Sequence, residues 1–320
     1  MIGTDYREET YIWDNYRSQI FDTYFGGMSV CVLDIETTGL SPGNSRFVLG
    51  SLLIIGDGEA TLLQYFANDV SEEEQLLKEY VKKASEYDVI LTYNGKRFDV
   101  PFLLSRAAKL DVDLPCLPYN LDLYLVLNDH SQLRKLLANL KQKTVEDFMG
   151  LWPFRTDKIS GAESAALYMR YLSLKESYED TEECKELMLL HNKDDVLQLG
   201  KLLPALGKAD FHRAMYSLGF PVISGGKKII VENIKFEGSS LKVKGAQTAG
   251  PVNYISYESG GLDCVIRFYK KSSDFEVVFP LPSRGYLGLK NNNDIKYAEV
   301  NCFIKTFLLK LLDSMPEEKA

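Results

Sequence analysis

Two carboxylates follow a short apolar segment near the start of the chain. Residues 30–33 are β-branched or otherwise apolar, which is typical of a central strand covered on both faces. Asp34 and Glu36 lie two residues apart, so an extended backbone directs both side chains to one face. Because adjacent buried carboxylates are costly without a counter-charge, the pair predicts a divalent cation at this strand end. A paired structural role is the alternative.

A third carboxylate, Asp99, follows the next predicted helix and strand. Residues 88–93 are expected to form that strand, which the turn pair Asn94-Gly95 ends. A strand that follows a helical crossover runs parallel to an earlier one, so its loop opens where ligands bind in open α/β sheets. Asp99 is therefore a candidate ligand. Its structural alternative is a helix N-cap, since Pro101 stands in the first turn of the next helix.

The remaining candidates lie on an apolar helix predicted for residues 185–199. His191 and Asp195 are four residues apart and share one helical face. A lone histidine on an apolar helix is usually a satisfied core residue. A His–Asp pair in a buried helix favours function, because each polar group needs a partner there. The neighbouring Asp194 is predicted to face solvent.

Together these residues predict a two-metal phosphoryl hydrolase. Carboxylate oxygens suit Mg²⁺ or Mn²⁺. Two such ions about 4 Å apart activate a water molecule and stabilise the leaving oxygen. His191 would take or orient the proton of that water.

The surrounding pattern predicts the elements that position these residues. Residues 47–55 and 61–66 should form antiparallel neighbours of the first strand. From residue 122 to residue 206 the pattern is helical throughout, and an aromatic stripe predicts an N-terminal helical extension over residues 1–27. The catalytic domain is expected to span residues 28–207.

Three motifs, in order along the chain, resemble those of the DnaQ-like (DEDD) 3′–5′ exonuclease superfamily within the ribonuclease-H-like fold. They are Asp34-Ile35-Glu36-Thr37-Thr38-Gly39-Leu40; Tyr93-Asn94-Gly95 through Phe98-Asp99 and Pro101-Phe102-Leu103; and His191-Asn192 with Asp195-Val196. The resemblance implies that two metal ions are held by Asp34, Glu36, Asp99 and Asp195. It further implies that His191 is catalytic, that single-stranded DNA or RNA 3′ ends are the substrate, and that Thr37, Asn94 and Phe98 contact it.

Further matches resemble the YprB-like branch of predicted exonucleases. They are Leu121-Asp122-Leu123, Val145-Glu146 ahead of Gly150, Ile159-Ser160-Gly161-Ala162-Glu163, and Tyr168. One feature departs from the wider superfamily. Its histidine type places His five residues before the last Asp and its tyrosine type places Tyr four before, whereas His191 stands four before Asp195. The YprB-like branch shares this spacing.

The composition changes near residues 205–226, and short β-rich segments follow. They predict a small antiparallel sheet or barrel over residues 220–320. Basic and aromatic residues there fit a nucleic-acid surface and fit a solvated strand face equally well. They are Lys227, Lys228, Lys242, Lys244, Arg267, Tyr269, Lys270 and Lys271.

The whole chain fits a cytoplasmic protein. It has 320 residues, 45% of them hydrophobic, and a formal net charge of −8. No apolar run approaches the roughly 20 residues that span a bilayer, and the polar, acidic start is unlike a secretory signal. The five scattered cysteines predict reduced thiols without structural zinc.

The predicted fold class is α/β: a ribonuclease-H-like mixed sheet with flanking helices and a small C-terminal all-β domain. The predicted function is a Mg²⁺- or Mn²⁺-dependent nuclease that acts as a 3′–5′ exonuclease. A non-catalytic nucleic-acid- or protein-binding module on a nuclease fold is the first alternative. A phosphodiesterase of nucleotides or short oligonucleotides is the second. Protein partners are not indicated.

Overall fold

The computed structural model describes residues 5–157, 159–281, 288–291 and 294–315. Its strands are β1 Asp5–Ile12, β2 Val30–Thr37, β3 Phe47–Ile55, β4 Glu59–Phe66, β5 Val89–Thr92, β6 Tyr119–Asp122, β7 Phe220–Ser224, β8 Lys227–Glu237, β9 Ser240–Ala249, β10 Tyr254–Ser259, β11 Leu262–Tyr269, β12 Asp274–Pro280, β13 Lys290–Asn291 and β14 Asp294–Ile295. Its α-helices are α1 Gln19–Phe25, α2 Glu73–Ala84, α3 Asp99–Leu110, α4 Leu123–His130, α5 Leu133–Leu136, α6 Gln142–Phe148, α7 Gly161–Glu176, α8 Glu182–Lys201, α9 Phe211–Leu218 and α10 Tyr297–Ser314. Single 3₁₀ turns lie at Val70–Glu72, Trp152–Phe154 and Leu203–Lys208.

The chain divides into two compact units. The first unit comprises Met1–Arg17 and Gly27–Ala209, and the second comprises Ser18–Gly26 and Asp210–Ala320. Within the described residues, no helix is both long and apolar enough to cross a membrane.

The first unit is built on a mixed sheet with the strand order β1-β4-β3-β2-β5-β6. Strands β2, β3 and β4 form an antiparallel meander, while β5 and β6 run parallel to β2. This is the pairing expected from the short turns and from the helical crossover. Strand β5 pairs with β2 only from Val30 to Val32, so the last part of β2 has an open edge on that side.

Helices cover both faces of this sheet, and the strand periodicity of β2 assigns its side chains to them. Leu33 and Ile35 belong to the apolar cluster formed with α2 and α3. Asp34 and Glu36 alternate with them and therefore point to the other face, where α8 contacts β2 and β3. The apolar face anchors the strand, and the opposite face presents its carboxylates.

The described part of the N-terminal segment, residues 5–27, does not form the helical extension predicted for residues 1–27, whose first four residues lie outside the described ranges. Strand β1 is an edge strand antiparallel to β4, and among residues 5–27 only the short helix α1, in the second unit, is helical. The half-buried positions of β1 include Arg7 and Glu9, which pair with Glu186 and Lys193 of α8. Because these positions are charged, β1 lacks the alternation of apolar residues that marks a strand in a sequence.

The prediction of helix throughout residues 122–206 is wrong between α6 and α7. Residues 149–157 and 159–160 are irregular apart from one 3₁₀ turn. Helix α6 ends before Gly150, which has a φ of +75°, and Pro153 lies in the 3₁₀ turn. A residue with positive φ terminates a helix, and glycine adopts it without a steric cost.

The second unit contains an antiparallel sheet with the strand order β10-β11-β12-β9-β8-β7. Its apolar face packs on α10, where the ring of Phe279 lies 5.0 Å from that of Phe303 and 4.7 Å from that of Phe307. This confirms the predicted separate β domain, built as an open sheet.

The basic residues expected on a nucleic-acid surface have other contacts. Lys227 is buried, and Lys242 pairs with Glu237. Lys244 and Arg267 both pair with Glu276 of the same sheet. A nucleic-acid role for this unit stays a prediction.

Candidate metal centre

All eight residues that the sequence predicts for the site line one cavity of about 760 Å³ in the first unit. They are Asp34, Glu36, Thr37, Asn94, Phe98, Asp99, His191 and Asp195. The end of β2, the loop after β5, the start of α3 and the helix α8 supply them, while the starts of α6 and α7 close the wall. The structure therefore brings the three motifs together; what they bind stays a prediction.

The most compact part of the cavity is a group of three side chains. Glu36, His191 and Asp195 each offer one ligand atom, and these atoms lie within 4.8 Å of one another. Nε2 of His191 is 3.6 Å from Oε1 of Glu36 and 3.5 Å from Oδ2 of Asp195. The spacing of one helical turn thus directs the imidazole along the face of Asp195, as the sequence predicted.

Asp34 is oriented by a chain of neutral side chains. Its Oδ2 accepts a hydrogen bond of 2.6 Å from the amide of Asn192. The carbonyl of Asn192 accepts one from the hydroxyl of Ser51, which accepts one of 3.0 Å from Gln64. Gln64 also donates to the carbonyl of Leu189. Asn192, Ser51 and Gln64 are buried, so this chain fixes one carboxylate oxygen without introducing a charge.

Asp99 is the first residue of α3, and Phe98 occupies the N-cap position. The structure thus does not support the N-cap alternative for Asp99. The loop before it is held by Asp122, which accepts hydrogen bonds from the N–H groups of Asn94 (2.9 Å) and Lys96 (3.0 Å). Asn94 has a φ of +66°, a conformation that Asn adopts more readily than most residues.

Two of the predicted substrate-contacting residues also have structural contacts. The hydroxyl of Thr37 donates to the carbonyl of Gly39 at 2.8 Å. The ring of Phe98 lies 5.6 Å from that of Phe102 and packs on the core under α3. These contacts orient the side chains of Thr37 and Phe98 in the cavity wall.

The four carboxylates repel one another, and their pKa values are raised. Burial raises the pKa of Asp34, and the charges of Asp195, Asp99 and Glu36 raise it further. Burial raises the pKa of Glu36 to about 7 against the opposing effect of His191, and raises that of Asp99 to about 7. Burial also raises the pKa of Asp195, although His191 opposes the shift. Glu36 and Asp99 are buried, and Asp34 and Asp195 are half-buried. Close carboxylates of this kind with raised pKa values are a donor set that a divalent cation fits.

A network of charged side chains surrounds the helical part of the site. Arg155 donates to both carboxylate oxygens of Glu146 (2.8 and 2.7 Å). It also donates to Asp157 and to Oδ1 of Asp195, each at 2.6 Å. The side chains of Arg155, Glu146 and Asp157 are at most 1% exposed. A single buried guanidinium thus donates hydrogen bonds to three carboxylates at once.

His191 joins the same network through its other ring nitrogen. Its Nδ1 lies 2.7 Å from Oδ2 of Asp157, which also accepts a bond of 3.0 Å from Lys143. Burial lowers the pKa of His191, but the hydrogen bond to Asp157 and the charges of Asp195 and Glu36 outweigh it and raise the pKa. Burial opposes ionisation of Asp157, yet hydrogen bonds from His191, Arg155 and Lys143 hold its pKa well below the usual range.

The prediction that Asp194 faces solvent is wrong. This residue is buried, and its Oδ2 accepts hydrogen bonds from the N–H groups of Thr156 (2.6 Å) and Asp157 (2.8 Å). The irregular segment folds over this side of α8 and thereby buries a residue that a bare helix would expose.

Comparison with known proteins now places this domain. A family model described as the RNase_H superfamily matches residues 31–206, more than half of the 320-residue chain. The chain belongs to the RNase_H superfamily. The resemblance inferred from the sequence and the ribonuclease-H-like fold are both confirmed.

Curated proteins also match parts of this RNase_H-superfamily chain. A DNA polymerase of Pyrococcus glycovorans is 46% identical over 99 residues, which are 28% of this chain and 12% of the polymerase. YprB of Bacillus subtilis (strain 168) is 28% identical over 180 residues, which are 55% of this chain and 41% of YprB. The chain spans less than half the length of these curated relatives.

Two solved structures also resemble this RNase_H-superfamily chain. The family B DNA polymerase from the archaeon Pyrobaculum calidifontis gives a TM-score of 0.41 with 21% identity, covering 55% of this chain and 25% of that one. Exonuclease I gives a TM-score of 0.37 with 11% identity, covering 68% of this chain and 55% of that one.

Reasoning from single residues in this RNase_H domain did not identify Arg155 or Asp157. They stand two residues apart in an irregular segment, and their partners Asp195 and His191 are 40 and 34 positions away. The adjoining segments that resemble the YprB-like branch, which contain Glu146 and residues 159–163, were the available signal, although they assigned no role.

Proposed function

We propose that this RNase_H-superfamily chain is a metal-dependent nuclease that hydrolyses phosphodiester bonds of single-stranded DNA or RNA from the 3′ end. One observation carries the proposal. Ligand atoms of Glu36, His191 and Asp195 lie within 4.8 Å of one another, in a cavity that Asp34 and Asp99 also line. Buried carboxylates in this arrangement need a counter-charge, and a nuclease of this class uses one.

The proposed ligands are the four carboxylates Asp34, Glu36, Asp99 and Asp195. Their oxygen donors suit Mg²⁺ or Mn²⁺, and two ions are proposed. When bound, such ions lower the pKa of water and stabilise the leaving oxygen. Asn192 orients Asp34, and Arg155 occupies Oδ1 of Asp195.

His191 is proposed as the acid–base residue. When neutral, it donates Nδ1–H to Asp157, which leaves a lone pair on Nε2. Nε2 lies beside Glu36 and Asp195, so it can accept the proton of a water molecule held between these groups. The wall of the cavity excludes bulk solvent from the imidazole, which is 3% exposed.

The wall of the cavity and one of the relatives support the proposed substrate class. The exposed Lys141 lies on the wall formed by the start of α6 and can contact a phosphate, and Thr37, Asn94 and Phe98 line the same space. The relative from Pyrococcus glycovorans is a DNA polymerase, which supports a nucleic-acid substrate. All five cysteines are free, which supports the proposed cytoplasmic setting.

Nuclease assays with end-labelled strands test this proposal. The purified protein is incubated with Mn²⁺ or Mg²⁺ and with single-stranded DNA and RNA labelled at either end. We expect stepwise shortening from the 3′ end, with loss of activity in EDTA and in Asp34→Asn. Calorimetry with Mn²⁺ should show binding to the wild type and little to the variant.

Two outcomes would contradict the proposed nuclease activity. Metal binding and strand binding without hydrolysis would indicate the non-catalytic module instead. Hydrolysis of dinucleotides alone would indicate the phosphodiesterase. If Asp34→Asn binds Mn²⁺ as tightly as the wild type, the proposed ligand set is wrong.

A further inference from the structure

The irregular segment between α6 and α7 sends two charged side chains into the proposed active site. Arg155 and Asp157 each have a side chain that is 1% exposed, and each contacts a residue of the third motif. None of the motifs in the sequence assigns either residue a role. Their contacts reach the two residues that α8 contributes to the site, Asp195 and His191.

Arg155 is itself held rigidly. Glu146 of α6 accepts two of its hydrogen bonds in a bidentate pair, and Asp157 accepts a third from Nη1. The remaining bond, from Nη2, goes to Oδ1 of Asp195. Because a guanidinium is planar and fixed by three contacts, the fourth fixes the rotation of the Asp195 carboxylate. Oδ2 is thereby left facing Nε2 of His191 at 3.5 Å.

Asp157 is held by contacts to both its backbone and its side chain. Asp194 accepts the N–H groups of Thr156 and Asp157, which ties the segment to α8. Oδ1 accepts from Arg155, and Oδ2 accepts from Lys143 and lies 2.7 Å from Nδ1 of His191. A carboxylate in this position selects the Nδ1–H tautomer of a neutral imidazole and fixes the plane of its ring.

We propose that Arg155 and Asp157 are positioning residues of the nuclease site: Asp157 fixes the tautomer and ring orientation of His191, and Arg155 fixes the rotation of Asp195. This inference rests on the proposed function for its catalytic consequence. Its structural content, the tautomer of His191, is measurable without turnover.

A purely structural role for this network makes a different prediction, and the chain offers a matched control. Arg106 is also fully buried and also forms a bidentate pair, with Glu73 of α2 at 2.6 and 2.7 Å. Its remaining bond goes to the carbonyl of Pro42. Losing this pair should lower the melting temperature without altering the chemistry of the folded enzyme.

The first test replaces Asp157 with its isostere in Asp157→Asn. The amide can donate to Nδ1 and so favours the Nε2–H tautomer, which removes the lone pair from Nε2. We expect kcat to fall about 10- to 100-fold with KM nearly unchanged. Asp157→Glu restores a carboxylate and should recover part of kcat. Arg106→Met should retain the kcat of the wild type.

The second test reads the tautomer directly. The chain has three histidines, so nitrogen-15 labelling of histidine with His130→Gln and His212→Gln variants assigns the ring signals of His191. In the Mg²⁺-bound protein, at a pH where the ring of His191 is neutral, we expect the Nδ1–H tautomer in the wild type and the Nε2–H tautomer in Asp157→Asn.

The outcomes separate the two proposals. If no substrate is cleaved but the tautomer switches, the nuclease is wrong and the positioning role of Asp157 stands. If Asp157→Asn keeps the wild-type tautomer, or if its kcat falls no more than that of Arg106→Met, the positioning role is overturned. For Arg155, Arg155→Lys should weaken Mn²⁺ binding about 10- to 100-fold by calorimetry, and unchanged binding would exclude its role at Asp195.

Discussion

The two sides of the candidate metal centre orient their carboxylates by different means. On the strand side, Asp34 is fixed by the neutral chain through Asn192, Ser51 and Gln64. On the helical side, Asp195 and His191 are fixed by the charged network around Arg155. The neutral chain comes from regular strands and a helix, whereas the charged network depends on an irregular segment.

This difference has an energetic meaning. A neutral hydrogen bond contributes about 0.5–1.5 kcal/mol, whereas removing one partner of a buried ion pair costs about 3–5 kcal/mol because the other charge is left uncompensated. The strand side should therefore tolerate change better than the helical side. The contacts that cost more to lose thus lie around His191, the proposed acid–base residue.

The largest expected effect is the loss of kcat when a proposed metal ligand is removed, and it should be the same on the strand side and on the helical side. Asp34→Asn and Asp195→Asn each remove a proposed ligand and relieve repulsion among the carboxylates. We expect kcat to fall roughly 10⁴-fold in both. Bound metal should stabilise the wild type by about 2.7 kcal/mol at 100 times its Kd, and neither variant to that extent. Thermal melts with and without Mn²⁺ measure this. If a variant shows the same rise in melting temperature with Mn²⁺ as the wild type, the residue that it replaces is not a metal ligand.

Arg155→Met tests the charged side. The substitution leaves Glu146, Asp157 and Asp195 without their shared cation, so we expect the free energy of unfolding to fall by about 3–5 kcal/mol. Denaturant titration followed by fluorescence measures it. Arg106→Met, which breaks the comparable pair with Glu73, should cost a similar amount. A loss below about 1 kcal/mol in Arg155→Met alone would show that water or rotation compensates the three carboxylates.

Ser51→Ala tests the neutral side with a smaller expected effect. It removes the donor to Asn192 and one acceptor of Gln64, which keeps its bond to Leu189. We expect a loss of about 1–2 kcal/mol in the free energy of unfolding and a weaker affinity for Mn²⁺. The tautomer of His191 should not change. If Ser51→Ala costs as much as Arg155→Met, the contrast between the two sides is wrong.

The same contrast explains what the sequence could predict. Asp34 and Glu36 were placed by strand alternation, and His191 and Asp195 by the spacing of one helical turn. Each pattern works because a regular element repeats its side-chain directions. The parallel pairing of β5 with β2 then brought Asp99 to the same cavity. Most of the first unit and all the candidate ligands were accessible in this way.

Arg155 and Asp157 were not accessible, for a physical reason. Residues 149–157 and 159–160 form no regular element, so their side-chain directions do not repeat and their order does not indicate which side chains turn inward. The burial of Asp194 follows from the same segment, which covers that part of α8. The sequence did not predict strand β1 for a related reason. The charged residues Arg7 and Glu9 occupy its half-buried positions and pair with α8, so the strand has no apolar stripe.

The smallest expected effect concerns substrate binding in the cavity and not the proposed metal ligands. Lys141 stands exposed on the helical wall of the cavity, while the cation next to it, Lys143, is bound to Asp157 and to the carbonyl of Ile159. Lys141→Ala should raise KM a few-fold, leave kcat unchanged, and reduce the salt dependence of strand binding by about one charge. Binding titrations at several salt concentrations measure this. Lys78→Ala, on the surface of α2 with its partner Glu74, is the control and should leave the salt dependence unaltered. A fall in kcat in Lys141→Ala would instead connect this lysine to the charged network, and the helical side would then extend to the substrate itself.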